Sequence, residues 1–241
     1  MGAAARVTVQ QPSLHLGEEP SGSGADLLAA LDGDEYEALL AASSQISVAA
    51  GETVFRQGDM HDGIFVILSG QMRIFYTGPS GRVITLAYWA PGNFVGGPEL
   101  FGGSPHMWSG QAVRPTRLLH VRGAELRRRI ERSPRLAVAL VEALVHKGRC
   151  FSALIHMLGT RSATERLAQL LVLMAEMEGR RRPEGIVIGR TLTQEDLARM
   201  VGSTRQWVSS TLDRFRADGI IEVTPTRIVI HDPARLRDLG A

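Results

Sequence analysis

The segment Thr193-Gln-Glu-Asp-Leu-Ala-Arg-Met-Val-Gly202-Ser-Thr-Arg-Gln-Trp-Val-Ser-Ser-Thr-Leu-Asp-Arg-Phe215 decides the fold. It reads as two short helices joined by a glycine turn. Thr193 stands as an N-cap with Asp196 in capping-box register, and Leu197 with Val201 forms an i, i+4 apolar pair before Gly202 breaks the helix. In the second helix Val208, Thr211, Leu212 and Phe215 share one face. Gln206, Ser210 and Asp213 lie opposite, flanked by Arg205 and Ser209. A helix face of small polar side chains with Arg near its N-terminus is what reading a major groove requires.

The residues around this segment narrow its meaning. Asp218-Gly219 ends the second helix, Ile220 to Val223 alternates like a strand, Thr224-Pro225-Thr226 turns, and Arg227 to Ile230 returns. Ile186 to Ile188, ahead of the first helix, is a candidate further strand of the same small sheet. Strand, helix, turn, helix and hairpin follow one another in the order of a winged helix-turn-helix.

The 241 residues leave room for two domains, each with its own core. No apolar run approaches the roughly 18 residues of a membrane span. The start Met1-Gly-Ala-Ala-Ala-Arg lacks the apolar stretch of a secretion signal. The expected compartment is therefore the cytoplasm, with no membrane partner. A single cysteine, Cys150, excludes an intrachain disulfide, and a buried structural thiol is its expected role. The formal net charge of +2 does not by itself argue for nucleic acid. Its positive residues are nearly all Arg, Lys147 being the sole lysine. Arg suits phosphate and guanine, but a GC-rich genome produces the same bias. No phosphate-cradling Gly-Lys-Ser/Thr loop, metal-spaced His/Cys cluster or nucleophile elbow is present, so neither an enzyme nor a metal site is expected.

The expected fold class is α+β: an N-terminal antiparallel β-roll, a long central dimerisation helix and a C-terminal winged helix-turn-helix. Residues 1–25, with Pro12, Pro20 and Ser21-Gly-Ser-Gly24, read as a flexible tail. Residues 26–132 begin with leucines at helical spacing. They continue as short β-type runs (Val54-Phe55, Ile64 to Leu68, Met72 to Tyr76, Val83 to Trp89, Phe94-Val95, Arg117 to Val121) punctuated by glycines. Ser133-Pro134 opens a helix over 133–160. Its Leu136, Leu140, Leu144, Phe151, Leu154 and Leu158 approximate a heptad seam, interrupted around Lys147-Gly148. A seam between two copies is preferred to packing on the same chain's roll, because groove-reading modules work as symmetric pairs. Residues 161–241 hold the winged helix-turn-helix, with a helix from about Ser162 to Met177 and a basic loop at Gly179-Arg-Arg-Arg-Pro183.

With Ala50-Gly-Glu-Thr-Val-Phe-Arg-Gln-Gly-Asp59, Ile64-Phe-Val-Ile-Leu-Ser-Gly70 and Ala90-Pro-Gly-Asn-Phe-Val-Gly96 added to the segment from Thr193 to Ile221, the chain resembles the cyclic-AMP receptor/FNR family of bacterial transcription regulators. The resemblance runs from about residue 26 onward. It implies a cyclic-nucleotide-binding-like roll that holds a small effector against the central helix, and a homodimer paired through that helix. Double-stranded DNA bearing an inverted repeat and RNA polymerase are the implied partners. Arg205 matches the position that contacts guanine, where a bidentate pair is worth roughly 1–3 kcal/mol of discrimination. Gln206 stands where Glu is common and Ser210 where a second Arg often sits, so a half-site unlike that of the cyclic-AMP receptor is expected. Thr193, Gln194 and Thr204 are candidate phosphate contacts at helix N-termini, and Ser209 completes the DNA-binding set.

At the effector site the family pattern breaks. Nucleotide-binding members carry Gly-Glu followed, after a short interval, by Arg and then Ser or Thr. Here Gly96-Gly97 replaces Gly-Glu, and Glu99 lies two residues out of register. His106, or Met107 in a shifted alignment, takes the Arg position ahead of Trp108 and Ser109. A neutral imidazole cannot replace a guanidinium fork on a phosphate, so cyclic AMP is not the expected effector. Met107 and Trp108, with Phe151 and Ser152 approaching from the central helix, suggest a more apolar pocket for an unidentified small molecule. Plain core packing of Trp108 is an equal alternative. His106 as a haem ligand in a gas- or redox-sensing regulator is another alternative, whereas an FNR-type iron–sulfur cluster lacks its cysteines. A sensory module acting through protein contacts is the competing reading from a different class.

Overall fold

The structure, a computed structural model, describes residues 26–189 and 193–240. The tail assigned to residues 1–25 lies outside them. Helix α1 (Gly33–Ala41) precedes β1 (Ser44–Val48), β2 (Thr53–Phe55), β3 (Gly63–Ser69), β4 (Met72–Thr77), β5 (Val83–Trp89), β6 (Phe94–Val95), β7 (Ser109–Ala112) and β8 (Thr116–Arg122), and α2 (Gly123–Arg132) follows. The strands form two antiparallel sheets, in the orders β1-β8-β3-β6 and β2-β7-β4-β5. Strand β3 explains why they close on each other. Its Phe65 and Ile67 point between the sheets with Phe55, Met72, Ile74 and Leu118. Its Ile64 and Val66 point the other way, packing with Leu39, Leu126, Leu136 and Leu140 of the helices. A strand buried on both faces carries the unbroken apolar run seen at Ile64 to Leu68. On β7, a Cβ at Gly110 would stand 2.4 Å from the Phe55 ring, so glycine is what lets this strand approach β2.

The C-terminal half contains α4 (Ala163–Glu178), β9 (Arg180–Arg182), β10 (Gly185–Gly189), α5 (Gln194–Val201), α6 (Arg205–Ala217), β11 (Ile221–Val223), β12 (Arg227–Ile230) and α7 (Pro233–Leu239). A third sheet runs β11-β12-β10-β9. Ile186 to Ile188 therefore joins the wing hairpin. The basic stretch expected as a loop is instead a strand, held by pairing with β10.

Between the halves lies α3 (Pro134–Thr160), a single continuous helix. Ser133 caps it, its Oγ accepting from the Leu136 N–H at 3.1 Å, and Pro134 occupies the first turn. The helix carries two stripes that alternate steps of three and four. Leu136, Leu140, Ala143, Lys147, Cys150, Leu154 and Met157 are buried in their own chain. Val138, Val141, Val145, Gly148, Ser152, Ile155 and Gly159 face solvent. This corrects the seam expected from the leucines. Leu136 and Leu140 are sealed against the same chain's roll and Leu154 is buried in the same chain, while Leu144, Phe151 and Leu158 are half-buried.

Lys147 sits on the buried stripe with only 9% of its surface exposed. Its Nζ lies 3.6 Å from the centroid of the Trp89 ring and 4.7 Å from that of Phe94. The aromatic faces supply cation–π attraction in place of a carboxylate. Burial nevertheless pushes the ammonium down to about 7, with the nearby Cys150 thiol acting weakly the other way. Burial pushes the Cys150 thiol itself upward, which keeps it protonated. An unfolded lysine holds its proton to about pH 10.4. Between the two values the unfolded chain binds the extra proton, so stability rises with pH across that window. Below it the full cost of burying the charge is present. Lys147→Met should therefore stabilise the protein most near pH 6, with the gain shrinking steadily between pH 7 and 10. Urea melts across that range check this, and a pH-independent difference would contradict it.

Candidate nucleic-acid interface and effector site

Helix α5 begins with a complete capping box. Thr193 Oγ1 accepts from the Asp196 N–H at 3.1 Å, and Asp196 Oδ2 accepts from the Thr193 N–H at 2.9 Å. Gly202 ends the helix in the left-handed region at φ 63°. Thr204 then caps α6 by accepting from the Trp207 N–H at 3.2 Å. Val208, Thr211, Leu212 and Phe215 of α6 are buried, packing in one core with Leu197, Val201, Ile220 and Ile230. With that side sealed, Arg205, Gln206, Ser210 and Asp213 are left in solvent, and Ser209 is half-buried at the edge. Thr193 and Thr204 are exposed at the two helix N-termini, with Gln194 half-buried beside the first. The structure thus gathers the candidate base-reading side chains on one open face, with candidate phosphate contacts at the ends of that face.

This module is seated on the roll. Tyr88 of β5 is buried in the same core as Leu197, Val201 and Phe215, and α5 packs directly along β5. A Cβ at Gly202 would lie 3.3 Å from both Arg82 Nη2 and Leu158 Cδ2. The turn between α5 and α6 is therefore held between the β4–β5 hairpin and the end of α3. Arg166 Nε donates to the Val201 carbonyl at 2.7 Å and ties α4 into the same joint.

At the effector site, His106 is sandwiched between the rings of Phe55 and His61, with centroids 4.4 and 4.5 Å away. Its Nδ1 lies 2.5 Å from the Gly96 carbonyl and donates to it, which leaves Nε2 as the unprotonated nitrogen of the neutral ring. His61 Nδ1 accepts from the Gly63 N–H at 3.1 Å. Its proton is therefore on Nε2, a buried donor with no hydrogen-bond partner among the described residues. Burial, and then the neighbouring His106, lower the His61 pKa and keep it neutral. A Cβ at Gly97 would meet His61 Cδ2 at 3.0 Å and Nε2 at 3.1 Å. His61 thus fills the space a side chain at position 97 would need. No sequence signal marked His61, because its placement depends on how the turn before β3 folds under the Gly96-Gly97 loop.

Trp108 and Phe151 meet as expected, their ring centroids 5.5 Å apart. Ser109 is buried, and its Oγ accepts from the Gln57 N–H at 3.0 Å. Glu99, Met107 and Ser152 are exposed and stand apart from the buried cluster. His106 is buried, with Phe55 and His61 packed against its ring. Among the described residues no group of three or more His, Cys, Asp or Glu is placed to hold a metal ion. Among them, too, no helix is long and apolar enough to cross a membrane.

A two-sheet roll joined through a long helix to a winged helix-turn-helix defines a sensor-coupled DNA-binding regulator. Residues 45–133 match the cyclic nucleotide-binding domain family and residues 165–239 the Crp-like helix-turn-helix domain family. The chain is 27% identical over 207 residues to the CRP-like cAMP-activated global transcriptional regulator of Mycobacterium tuberculosis, spanning 85% of this chain and 92% of that one. It is 26% identical over 235 residues to the nitrogen fixation regulation protein FixK of Bradyrhizobium diazoefficiens, spanning 98% of each. Among solved structures, a CooA mutant from Carboxydothermus hydrogenoformans aligns at TM-score 0.74 and 24% identity, covering 96% of this chain and 99% of that one. The c-di-GMP responsive global regulator CLP of Xanthomonas campestris aligns at TM-score 0.75 and 21% identity, covering 83% and 99%. The chain belongs to the CRP/FNR family of transcription regulators.

The contact at position 97 is testable by a double-mutant cycle. Gly97→Glu should cost stability on the order of 2 kcal/mol, as overpacking does. His61→Ala in the same chain should recover about 1 kcal/mol or more of that cost. Strictly additive losses in denaturant melts would show that His61 is not what closes the site.

Proposed function

We propose that this regulator binds an inverted-repeat DNA site as a homodimer, gated by a small and largely apolar effector held between the roll and α3. The observation that carries the reading is the division of α6, whose apolar side is sealed in the core while Arg205, Gln206 and Ser210 stand free. Those side chains suit a guanine at Arg205 and adenine or a permissive base at Gln206. The pairing surface follows from α3. Its exposed Val138, Val141, Val145 and Ile155 repeat at heptad spacing, with Gly148, Ser152 and Gly159 between them allowing close approach. Two copies joined along this stripe would present two α6 helices about a dyad. RNA polymerase as a partner and residence in the cytoplasm rest on family membership.

The effector reading rests on the chemistry of the pocket walls. On the resemblance, Gly97 takes the place where nucleotide-binding relatives carry Glu, and His106, or Met107 in a shifted alignment, the place of Arg; both His61 and His106 are buried. A phosphate would find no guanidinium fork there. The Trp108–Phe151 pair instead offers an aromatic wall at the junction with α3. Cyclic AMP at millimolar concentration should leave DNA affinity unchanged, and a clear cyclic-AMP-dependent gain in a fluorescence-anisotropy titration would contradict this.

For the DNA reading, the preferred duplex is first selected from a random pool with the parent protein. Arg205→Ala should then lose roughly tenfold to a hundredfold in affinity for that duplex, the equivalent of 1–3 kcal/mol, while binding random DNA almost as before. Undiminished discrimination would reject the assignment. Val141→Asp should convert the dimer to a folded monomer in sedimentation velocity, since Val141 is exposed in the single chain. A dimer that survives this change would place the seam elsewhere.

A further inference from the structure

We propose that Lys147 and Cys150, the chain's sole lysine and sole cysteine, form a trap for formaldehyde, in which a methylene bridge joins Nζ to Sγ and reports the aldehyde to the DNA-binding module. The site and its chemistry go beyond the non-covalent effector proposed above. Only the readout through DNA rests on the DNA-reading role of α6.

The two side chains stand three residues apart on the inner stripe of α3, with 9% and 7% of their surfaces exposed. Residues at i and i+3 share one helix face, with Cβ atoms about 5–6 Å apart. Amine and thiol are close enough that each acts on the other's charge. The amine has no hydrogen-bond or ion-pair partner among the described residues and rests against the rings of Trp89 and Phe94. Burying a charge without a counter-ion costs stability, so packing alone does not account for a lysine here. Held in that apolar wall, the amine is partly unprotonated near neutral pH. A desolvated lysine amine is the nucleophile that captures carbonyl carbons. Cys150 Sγ lies 3.9 Å from Nε2 of the half-buried His146, which is placed to take the thiol proton.

The steps balance without an oxidant. The Lys147 lone pair forms a C–N bond to the aldehyde carbon, the C=O pair moves to oxygen, and that oxygen takes a proton from nitrogen. The carbinolamine loses hydroxide, and Sγ adds to the iminium carbon to form the C–S bond. The thiol proton, passed through His146 Nε2, joins the hydroxide as water. One amine, one thiol and one aldehyde thus give Nζ–CH2–Sγ and one water. Both nucleophiles are more than nine-tenths buried, so a substituent on the aldehyde carbon would have to enter the packed seam beside Trp89. That selects the one-carbon aldehyde. Closing the bridge draws Nζ off the Trp89 ring and removes the cation from the seam. Trp89 ends β5 next to Tyr88, which is buried in one core with Leu197 and Phe215. The modification therefore acts one residue from the seat of the helix-turn-helix.

The test treats the full chain with one equivalent of formaldehyde, removes the free aldehyde and weighs the tryptic peptides. The parent should gain the mass of one carbon atom. Its peptides 136–149 and 150–161 should travel as one linked species, uncut at Lys147. Lys147→Arg and Cys150→Ser, with circular dichroism confirming their folds, should give no linked species. A carbon added at Lys147 without the link, or an unmodified Lys147, would overturn the trap, and neither result depends on a variant folding. A link that persists in either variant would overturn it too. Acetaldehyde under the same conditions should leave the chain unlinked, and an equal yield of link would overturn the one-carbon assignment. On the duplex selected with the parent, bridged and unbridged chains should differ in affinity by about fivefold or more, while treated Cys150→Ser should bind as before. Equal affinities would overturn the reporting role. Absence of any preferred sequence in the parent would overturn the α6 reading and the reporting role with it. The linked mass still decides the trap in that case, so the failures are distinguishable.

Discussion

Everything in this molecule is referred to one helix that is apolar on two sides. The inner stripe of α3 buries Leu136, Ala139, Leu140 and Ala143 against the roll, which fixes the helix to the N-terminal domain. The roll then offers Tyr88 on β5 as a seat for the helix-turn-helix, and the end of α3 closes on the turn at Gly202 through Leu158. The orientation of α6 is thus set by a chain of packed contacts from the sensor's strands, not by a free linker. The outer valine stripe is left over by this packing. An exposed 3–4 apolar repeat is what a second copy of the helix would cover.

Inside the roll, burial and aromatic contact surround groups that can carry charge. The space a side chain at Gly97 would need is taken by His61, which packs against His106. Lys147, on the inner stripe of α3, faces Trp89 and Phe94 instead of an anion.

Parts of the fold were legible because local signals agreed with tertiary demands. The capping box at Thr193 and Asp196, the left-handed Gly202 and the one-sided apolar pattern of α6 each depend on nearby residues alone. Which stripe of α3 faces its own chain was not legible, for a physical reason. Both stripes are apolar, and heptad spacing cannot say which one faces its own chain; the larger leucines went to the core and the valines to solvent. Strand β9 is three consecutive arginines and became a strand only through pairing with β10. Strand β7, Ser-Gly-Gln-Ala, has no β-branched residue and depends on Phe55 filling the gap over Gly110. Helix α2 has Leu126 as its one large buried side chain, among arginines that mask its periodicity. His61 reaches the effector loop through the folded turn, which no spacing in the sequence encodes.

The most direct examination of the whole account is a hydroxyl-radical and base-methylation footprint of the full chain on its selected duplex. Two protected major-groove patches related by a dyad, one helical turn or about 10 base pairs apart from centre to centre, are predicted. A single patch, or protection confined to the backbone with every major-groove guanine still reactive, would contradict it.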